Sequence, residues 1–176
     1  MEQELKPKSM ILYAKNEINT VPLKKLTLKE IDLFFYLCFR LNEKESERVT
    51  LTFSEVKKIL DFKPNDIERL SKLFLRTHQK MLEINFTVKE NNKIISFPVF
   101  YKFGIDKDDK CVSIQVHPRF QHVLNYFKFG GQFTRINLLE IISLKSDYAK
   151  KLYPILKQFE STGDERYTDY IKASKN

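Results

Sequence analysis

A short helix, a tight turn and a longer helix, followed directly by two β-hairpins, predict an α+β fold for this chain. The three leading elements have the pattern of a helix-turn-helix, and the first hairpin stands where a winged helix-turn-helix has its wing. The second hairpin is an addition to that pattern. The 176 residues leave room for one domain with a buried core. We expect an N-terminal tail over 1–15, one domain over 16–160 and a polar tail over 161–176.

Capping residues and apolar spacing locate the first elements. Thr27 and Glu30 form a capping box in front of the first helix, whose apolar residues continue to about Leu41. Apolar and polar residues then alternate over 49–53, which predicts a short strand. Ser54 is the expected cap of the brief helix that follows.

A break separates this brief helix from a longer one. The segment 61–64 ends in a proline, which disfavours helix in the residue before it. Asn65 or Asp66 is the expected cap of the next helix, which runs to about Leu82. These two helices and their turn form the predicted helix-turn-helix.

Two hairpins are predicted after the long helix. The first has strands over 84–88 and 93–103 around the turn 90–92, and we interpret it as the wing. The second pairs 101–105 with 111–116 across the turn 106–109.

The rest of the predicted domain is mainly helical. Pro118 suits the first position of a helix that continues to Phe127. An apolar segment over 136–144 precedes a last helix from about Ser146, and Pro154 inside that helix is expected to bend it.

The chain is strongly basic, with 31 Lys and Arg against 23 Asp and Glu and a net charge of +8. Its 42% hydrophobic and 13% aromatic content is too high for a disordered basic arm. A folded body with this charge attracts polyanions, so nucleic acid or an anionic membrane surface are the expected partners. Net charge alone does not choose between them.

Location is indicated by the absence of targeting features. The segment 1–10 has no apolar signal region, and no apolar run approaches the roughly 18–20 residues that a membrane-spanning helix needs. Cys38 and Cys111 lack the neighbours of a metal site, and we expect both to be reduced residues of a cytoplasmic protein without a membrane partner.

Catalytic motifs are lacking, which predicts that the protein is not an enzyme and needs no cofactor or metal. The sequence has no glycine-rich phosphate loop, no nucleophile elbow and no paired Cys or His motif. We expect non-catalytic roles for the three histidines, which are His78, His117 and His122. We interpret a group of three acidic residues as a solvated turn, not a cation site: Asp106, Asp108 and Asp109.

The long helix carries a row of basic residues. Four of them are spaced 3, 4 and 4 residues apart, namely Arg69, Lys72, Arg76 and Lys80. At about 100° per residue, their side chains fall within about 80° of one another. Four apolar residues cluster on the approximately opposite side: Ile67, Leu70, Phe74 and Met81. The pattern predicts a helix that buries one flank and offers a positive flank to DNA.

The predicted DNA-binding residues extend from this row to its surroundings. They are Lys63, Asn65, Arg69, Lys72, Arg76, Lys80, Lys89 and Lys93. Arg69 and Asn65 lie nearest the start of the helix and are the candidates for reading bases, while the other residues of the row are expected to grip phosphates. A solvated lysine-rich face that only keeps the protein soluble is the alternative interpretation.

The last predicted helix resembles a known family. Its segment from Ser146 to Gln158 closely resembles the signature S-x-Y-A-x-x-L-Y-x-x-L-x-Q of the iteron-plasmid replication initiators. The matching residues are Ser146, Tyr148, Ala149, Leu152, Tyr153, Leu156 and Gln158. The preceding order of elements is also similar to that family's N-terminal winged-helix domain, so the resemblance covers roughly 16–160.

The resemblance implies a protein that binds repeated origin sequences in double-stranded plasmid DNA, forms a homodimer or switches to a monomer, and recruits host replication proteins. Two departures from the family stand out. Pro154 replaces a helix-favouring residue of the signature, and 161–176 is either a polar tail or the truncated linker to a missing second winged-helix domain. Two other functions stay open, a winged-helix transcriptional regulator and a dimerisation module with negligible DNA binding.

Overall fold

The computed structural model describes residues 9–44, 47–63, 67–125 and 132–160. In chain order its elements are β1 (Ile11–Lys15), a 3-10 helix (Asn16–Thr20), α1 (Leu28–Lys44), β2 (Arg48–Thr52), α2 (Phe53–Ile59), α3 (Ile67–Leu82), β3 (Asn85–Glu90), β4 (Lys93–Pro98), β5 (Phe100–Asp106), β6 (Cys111–Val116), α4 (Pro118–Leu124), β7 (Phe133–Asn137), α5 (Leu138–Ser143) and α6 (Asp147–Gln158). The predicted α+β fold, with a helix-turn-helix, a wing and an additional hairpin, is confirmed. Within the described ranges, no helix is long and apolar enough to cross a membrane.

The core is built around α1, which is buried on nearly all sides. Its buried apolar residues are Ile31, Leu33, Phe34, Phe35, Tyr36, Leu37, Cys38 and Leu41. The helix contacts β1, β2, α3, α4, α5 and α6, which explains why its apolar residues are almost continuous. The carboxylate of Glu30 accepts a hydrogen bond from the Thr27 N–H at 2.8 Å, as the predicted capping box requires.

A buried ion pair joins α1 to α6. Asp32 and Lys150 are each 2% exposed, and the Lys150 ammonium donates to the Asp32 carboxylate. It also donates to the Ile141 carbonyl at 2.8 Å. Burial raises the pKa of Asp32 and lowers that of Lys150, and the attraction between the two charges opposes both shifts. Both groups can therefore stay charged in the core only because each charge offsets the burial cost of the other.

Small antiparallel sheets complete the core of the described part of the chain. One has the order β2-β6-β5, one pairs β3 with β4, and one pairs β1 with β7. The expected tail over 1–15 needs correction, because residues 11–15 form β1 and its Leu12 lies fully buried opposite Ile136. The sequence did not show this strand because its partner lies at the other end of the domain.

The predicted wing strand over 93–103 is two strands. Pro98 has no N–H to donate to the ladder, β4 ends there, and the chain bends at Val99. The Val99 N–H donates to the Ile84 carbonyl at 2.8 Å, and the Val99 carbonyl accepts from the His117 N–H at 2.9 Å. From Phe100 onward the chain pairs with β6 in a different sheet.

One predicted helix cap changes, and others lie outside the described residues. Thr52, not Ser54, caps α2, because the Thr52 hydroxyl accepts from the Glu55 N–H at 3.1 Å and Phe53 is already helical. The expected caps of α3, Asn65 and Asp66, lie outside the described residues, as does Phe127. In α6 the helix is continuous from Asp147 to Gln158.

The inner face of the wing packs on α4. Phe86 of β3 lies 5.2 Å from Phe120, and Phe97 of β4 lies 4.5 Å from the His117 ring, measured between ring centroids. The Nδ1 atom of His117 accepts a hydrogen bond from the Arg119 N–H at 3.0 Å and so caps α4. Burial and the Arg119 charge lower the pKa of His117, which favours the neutral ring that this cap needs.

Removing one partner of the buried ion pair should destabilise the fold. We expect Lys150→Met to lower the free energy of unfolding by about 3–5 kcal/mol, because it leaves the Asp32 carboxylate buried without compensation. The double variant Asp32→Ala/Lys150→Met removes both charges and should recover most of this loss. Urea unfolding measures both values, and a double variant as unstable as the single one would contradict this account.

The His117 cap predicts a pH dependence of stability. Since the pKa of His117 in the folded protein lies below its ordinary value of 6.5, the neutral ring stabilises the fold fully above pH 6.5. That contribution decreases as the pH falls through 6.5 towards the folded-state pKa. His117→Asn keeps an acceptor for the cap but does not titrate, so the slope of unfolding free energy between pH 7 and 5 should flatten. An unchanged slope in His117→Asn would show that the His117 ring does not cause the pH dependence.

Candidate nucleic-acid interface

The amphipathic pattern of α3 positions its outer surface. Its buried residues are Leu70, Leu73, Phe74, Thr77 and Met81, which define one arc of the helix. Ile67 was predicted to belong to this arc, but its side chain is 44% exposed. A residue at the end of a helix has packing neighbours on one side only, and Ile67 is the first residue of α3. The basic row lies on the outer side, as the spacing predicts.

A groove of about 740 Å³ runs between this row and the start of α1. Its lining residues are Thr27, Lys29, Glu30, Phe62, Arg69, Lys72, Leu73, Leu75, Arg76 and Lys80. All four residues of the predicted row therefore share one concave surface. Five of the ten lining residues are Lys or Arg and one is acidic, so the groove is positive as a whole.

Three of the four basic residues of α3 are exposed in this groove, namely Arg69, Lys72 and Arg76. The Lys72 ammonium lies 2.7 Å from the Glu68 carboxylate, one turn earlier on the same helix. Such an exposed pair is worth about 0–1 kcal/mol, so a phosphate can replace Glu68 at little cost. The Arg76 Nε donates to the Lys72 carbonyl at 3.4 Å, which directs its guanidinium along the row.

The fourth residue, Lys80, is held by a buried carboxylate. Its ammonium lies 3.0 and 2.9 Å from the two carboxylate oxygens of Glu30, which is 2% exposed. Glu30 also accepts from the Thr77 hydroxyl at 3.2 Å. Burial alone would raise the pKa of Glu30, but the hydrogen bonds from Thr27, Lys80 and Thr77 and the Lys80 charge outweigh it and lower the pKa.

This contact changes the role that the helical spacing suggested for Lys80. A cation bound by both oxygens of a buried carboxylate has to break that pair before it can bind a phosphate, and the carboxylate would then stay buried without its charge partner. Lys80 therefore fixes α3 on α1 and supports the groove from below. The exposed row consists of its three other members.

Two further lysines flank the groove. Lys29 of α1 donates to the Leu60 carbonyl at 2.5 Å, and its ammonium lies 5.6 Å from the centre of the Phe62 ring. The sequence pattern missed Lys29 because it lies on another helix, and helical spacing relates residues of one helix only. The predicted site residue Lys63 is exposed beside Phe62. Asn65, the other candidate for reading bases, lies outside the described residues.

The remaining predicted contacts lie at the wing tip. Lys89 and Lys93 are both exposed, Lys89 near the end of β3 and Lys93 at the start of β4. The two strands are joined by a two-residue turn, Asn91–Asn92, whose φ angles of 47° and 62° are typical of a tight hairpin. The structure thus brings Lys89 and Lys93 together but places them on a different element from the α3 row.

Cys38 and Asp106, which carry a thiol and a carboxylate, have structural roles in the described part of the chain. Burial raises the pKa of the fully buried Cys38 thiol, which keeps it protonated and unreactive. The Asp106 carboxylate accepts from the N–H groups of Asp108 and Asp109 at 2.9 Å each, as expected for a turn. No group of three or more His, Cys, Asp or Glu residues is placed to bind a metal ion among the described residues.

Comparisons with known proteins agree with this architecture. Residues 11–157 match the family model described as "Initiator Replication protein, WH1". The chain is 31% identical over 154 residues to the "Probable replication protein rep" of Bifidobacterium longum (strain NCC 2705), a match that covers 87% of this chain and 51% of that protein. The chain therefore spans about half the length of this curated relative.

A solved structure shows the same fold. It is the crystal structure of Pi initiator protein in complex with iteron DNA, which matches with a TM-score of 0.67 over 87% of this chain and 65% of that one. The two sequences are 12% identical over this match, so the likeness concerns the arrangement of helices and strands.

The two lysines of α3 should differ sharply in their effect on stability. Lys80→Met leaves Glu30 buried without its ion pair and should lower the free energy of unfolding by about 1–3 kcal/mol. Lys72→Met removes only an exposed pair on the same helix and should change it by less than about 0.5 kcal/mol. Chemical denaturation compares the two variants. Equal effects would show that Lys80 does not hold α3 in place.

Proposed function

The chain belongs to the initiator replication protein family, whose WH1 model spans residues 11–157, and on this premise we propose that it binds double-stranded DNA at the repeated sequences of a plasmid origin. In this proposal it acts as a replication initiator through binding alone, with no catalytic step. The curated relative that it matches is named as a probable replication protein, and the solved structure with the same fold is an initiator in complex with iteron DNA. Both support an activity exerted on DNA.

The observation that carries the proposal is the exposed basic row of α3. Arg69, Lys72 and Arg76 line one groove on the second helix of a helix-turn-helix. The last lies seven positions after the first, which is about 10 Å along the helix axis. Since each DNA strand carries one phosphate per about 3.4 Å of its axis, the row is long enough to contact more than one phosphate.

The other proposed contacts surround this row. Arg69 lies nearest the start of α3 and, with Asn65, is the proposed base contact, while Lys72 and Arg76 bind phosphates. Lys63 and the wing residues Lys89 and Lys93 are proposed to bind the DNA backbone on either side. Lys80 contributes through its support of the groove.

We also propose that the protein forms a homodimer and recruits host replication proteins in the cytoplasm. A sheet edge supports the dimer, because β5 is an outer strand of the order β2-β6-β5 in the described part of the chain. The exposed Tyr101 and Lys102 lie on this strand. Two copies of an outer strand can pair around a two-fold axis, and two half-sites of DNA would then be bound together.

The basic row is tested by replacing its three exposed members together. Arg69→Gln/Lys72→Gln/Arg76→Gln should weaken binding to a 30-base-pair duplex of mixed sequence by roughly 100-fold at low salt. Because each phosphate contact contributes about 0.9 to the slope of log affinity against log salt, that slope should flatten by about 3. Fluorescence anisotropy over a salt series measures both quantities.

A control variant separates position from net charge. Lys24→Gln/Lys107→Gln/Lys145→Gln removes the same number of charges at exposed positions outside the groove. It should bind nearly as well as the wild type. If both triple variants fold and lose affinity equally, overall charge and not the groove causes binding.

The initiator role is tested by footprinting on the DNA that surrounds the coding sequence. Protection of several direct repeats, each over a similar length, is expected for an origin-binding protein. Protection of a single promoter operator instead would identify a transcriptional regulator. A folded protein that dimerises but protects no DNA would be a dimerisation module.

A further inference from the structure

The outer face of the wing carries an isoleucine with no packing role. Ile94 of β4 is 72% exposed, although its neighbours on the inner face of the hairpin pack on α4. Its Cα lies directly opposite that of Lys89 in the β3–β4 ladder. A β-branched residue favours a strand, but so does threonine, which would not expose four carbon atoms to water. The position therefore carries an apolar group without a benefit to the fold.

The framework under Ile94 is held firmly. Phe86 and Phe97 anchor the inner face of the hairpin on Phe120 and His117. On the outer face, the Thr87 and Ser96 hydroxyls hydrogen-bond across the two strands at 2.9 Å. The tight Asn91–Asn92 turn closes the tip. Ile94 is thus presented on a rigid ribbon two residues from its end.

The charges around the tip are almost entirely positive. Lys89 and Lys93 are exposed, while the adjacent Glu90 is paired with Arg119 at 2.5 Å on the inner side. No ion pair of Lys89 or Lys93 occurs among the described residues. The tip therefore combines one apolar side chain with two cations that are free to bind an anion.

The small apolar area and the positive charge of the wing tip indicate which partner it fits. The exposed surface of one isoleucine beside one lysine is far smaller than the roughly 800 Å² per partner of a stable protein interface. The DNA minor groove is about 6 Å wide, which excludes a helix of 10–12 Å diameter, but a single side chain that projects from a hairpin can enter it. Its walls are phosphates, which attract lysine, and proteins that bind there insert apolar side chains, isoleucine among them, between base steps.

We propose that Ile94 is a wedge that enters the DNA minor groove and partly unstacks one base step, while Lys89, which lies opposite it on the same face of the hairpin, binds a neighbouring phosphate. This inference rests on the proposed function, since it needs a chain that binds DNA. It assigns the wing a role in deforming DNA, beyond adding affinity. Flexible pyrimidine–purine steps such as TA are the sites where such a wedge costs least.

The test uses a 30-base-pair duplex of mixed sequence with TA steps every five base pairs and 2-aminopurine replacing adenine at one of them. End-to-end energy transfer on the same duplex reports bending. Wild-type protein should raise the 2-aminopurine fluorescence through unstacking and bend the duplex by about 20–90°. Ile94→Ala and Ile94→Thr should lose most of both signals and about three- to tenfold in affinity. Thr keeps the β-branched shape that suits the strand.

Two comparisons make the result specific. Ile155→Ala removes another exposed isoleucine, on α6, and should leave fluorescence, bending and affinity unchanged. The salt slope of both Ile94 variants should equal that of the wild type, because their lysines remain. The circular dichroism spectrum of each variant confirms that the hairpin and helices still form.

Each remaining outcome has a defined meaning. Ile94 variants that unstack and bend the duplex like the wild type overturn the wedge while leaving DNA binding intact. Variants that change the sedimentation coefficient of the free protein but not the fluorescence would place Ile94 between copies of the chain, which also overturns it. A wild-type protein that does not bind the duplex overturns the proposed function itself.

Discussion

The Glu30 carboxylate fixes how the groove is built. It lies at the first turn of α1, buried in the domain, and binds the Thr27 backbone, the Thr77 hydroxyl and the Lys80 ammonium at once. A buried charge is tolerable only with several such partners, so α1 and α3 are constrained to the one arrangement that satisfies it. That arrangement puts the exposed row of α3 beside the start of α1, and the concave basic surface exists because of it.

Patterns in the sequence predicted the contacts between residues that are close together in the chain. Thr27 and Glu30 are three residues apart, and the bond from the Thr27 N–H to the Glu30 carboxylate forms as their expected capping box requires. The pairing of Glu30 with Lys80 joins residues fifty positions apart, and no periodicity within α3 indicates it. The same limit applies to β1, whose pairing with β7 closes the domain, and to Lys29, which reaches the groove from α1. Helical spacing gives the direction of a side chain but not the group that it meets.

The family signature in α6 has mainly structural tasks. Ser146 caps the helix by accepting from the Ala149 N–H at 3.4 Å, and the Tyr153 hydroxyl donates to Glu140 at 2.5 Å. The Gln158 amide oxygen accepts from Asn19 at 2.7 Å. None of the signature residues lines the basic groove. The most recognisable part of the sequence thus maintains the fold, and the surface proposed to bind DNA had to be found from charge and exposure.

The two proposed contact surfaces act through different physics, and this determines what each can contribute. Phosphate contacts from the α3 groove are long-ranged and nearly independent of sequence, so they supply affinity and a steep salt dependence. A wedge at Ile94 acts only on direct contact, and its contribution to the binding free energy depends on how easily the contacted base step unstacks. In this proposal the groove holds the duplex, while the contribution of the wing depends on how easily the duplex deforms. A domain with both surfaces can favour certain DNA sites even where few of its side chains read base edges directly.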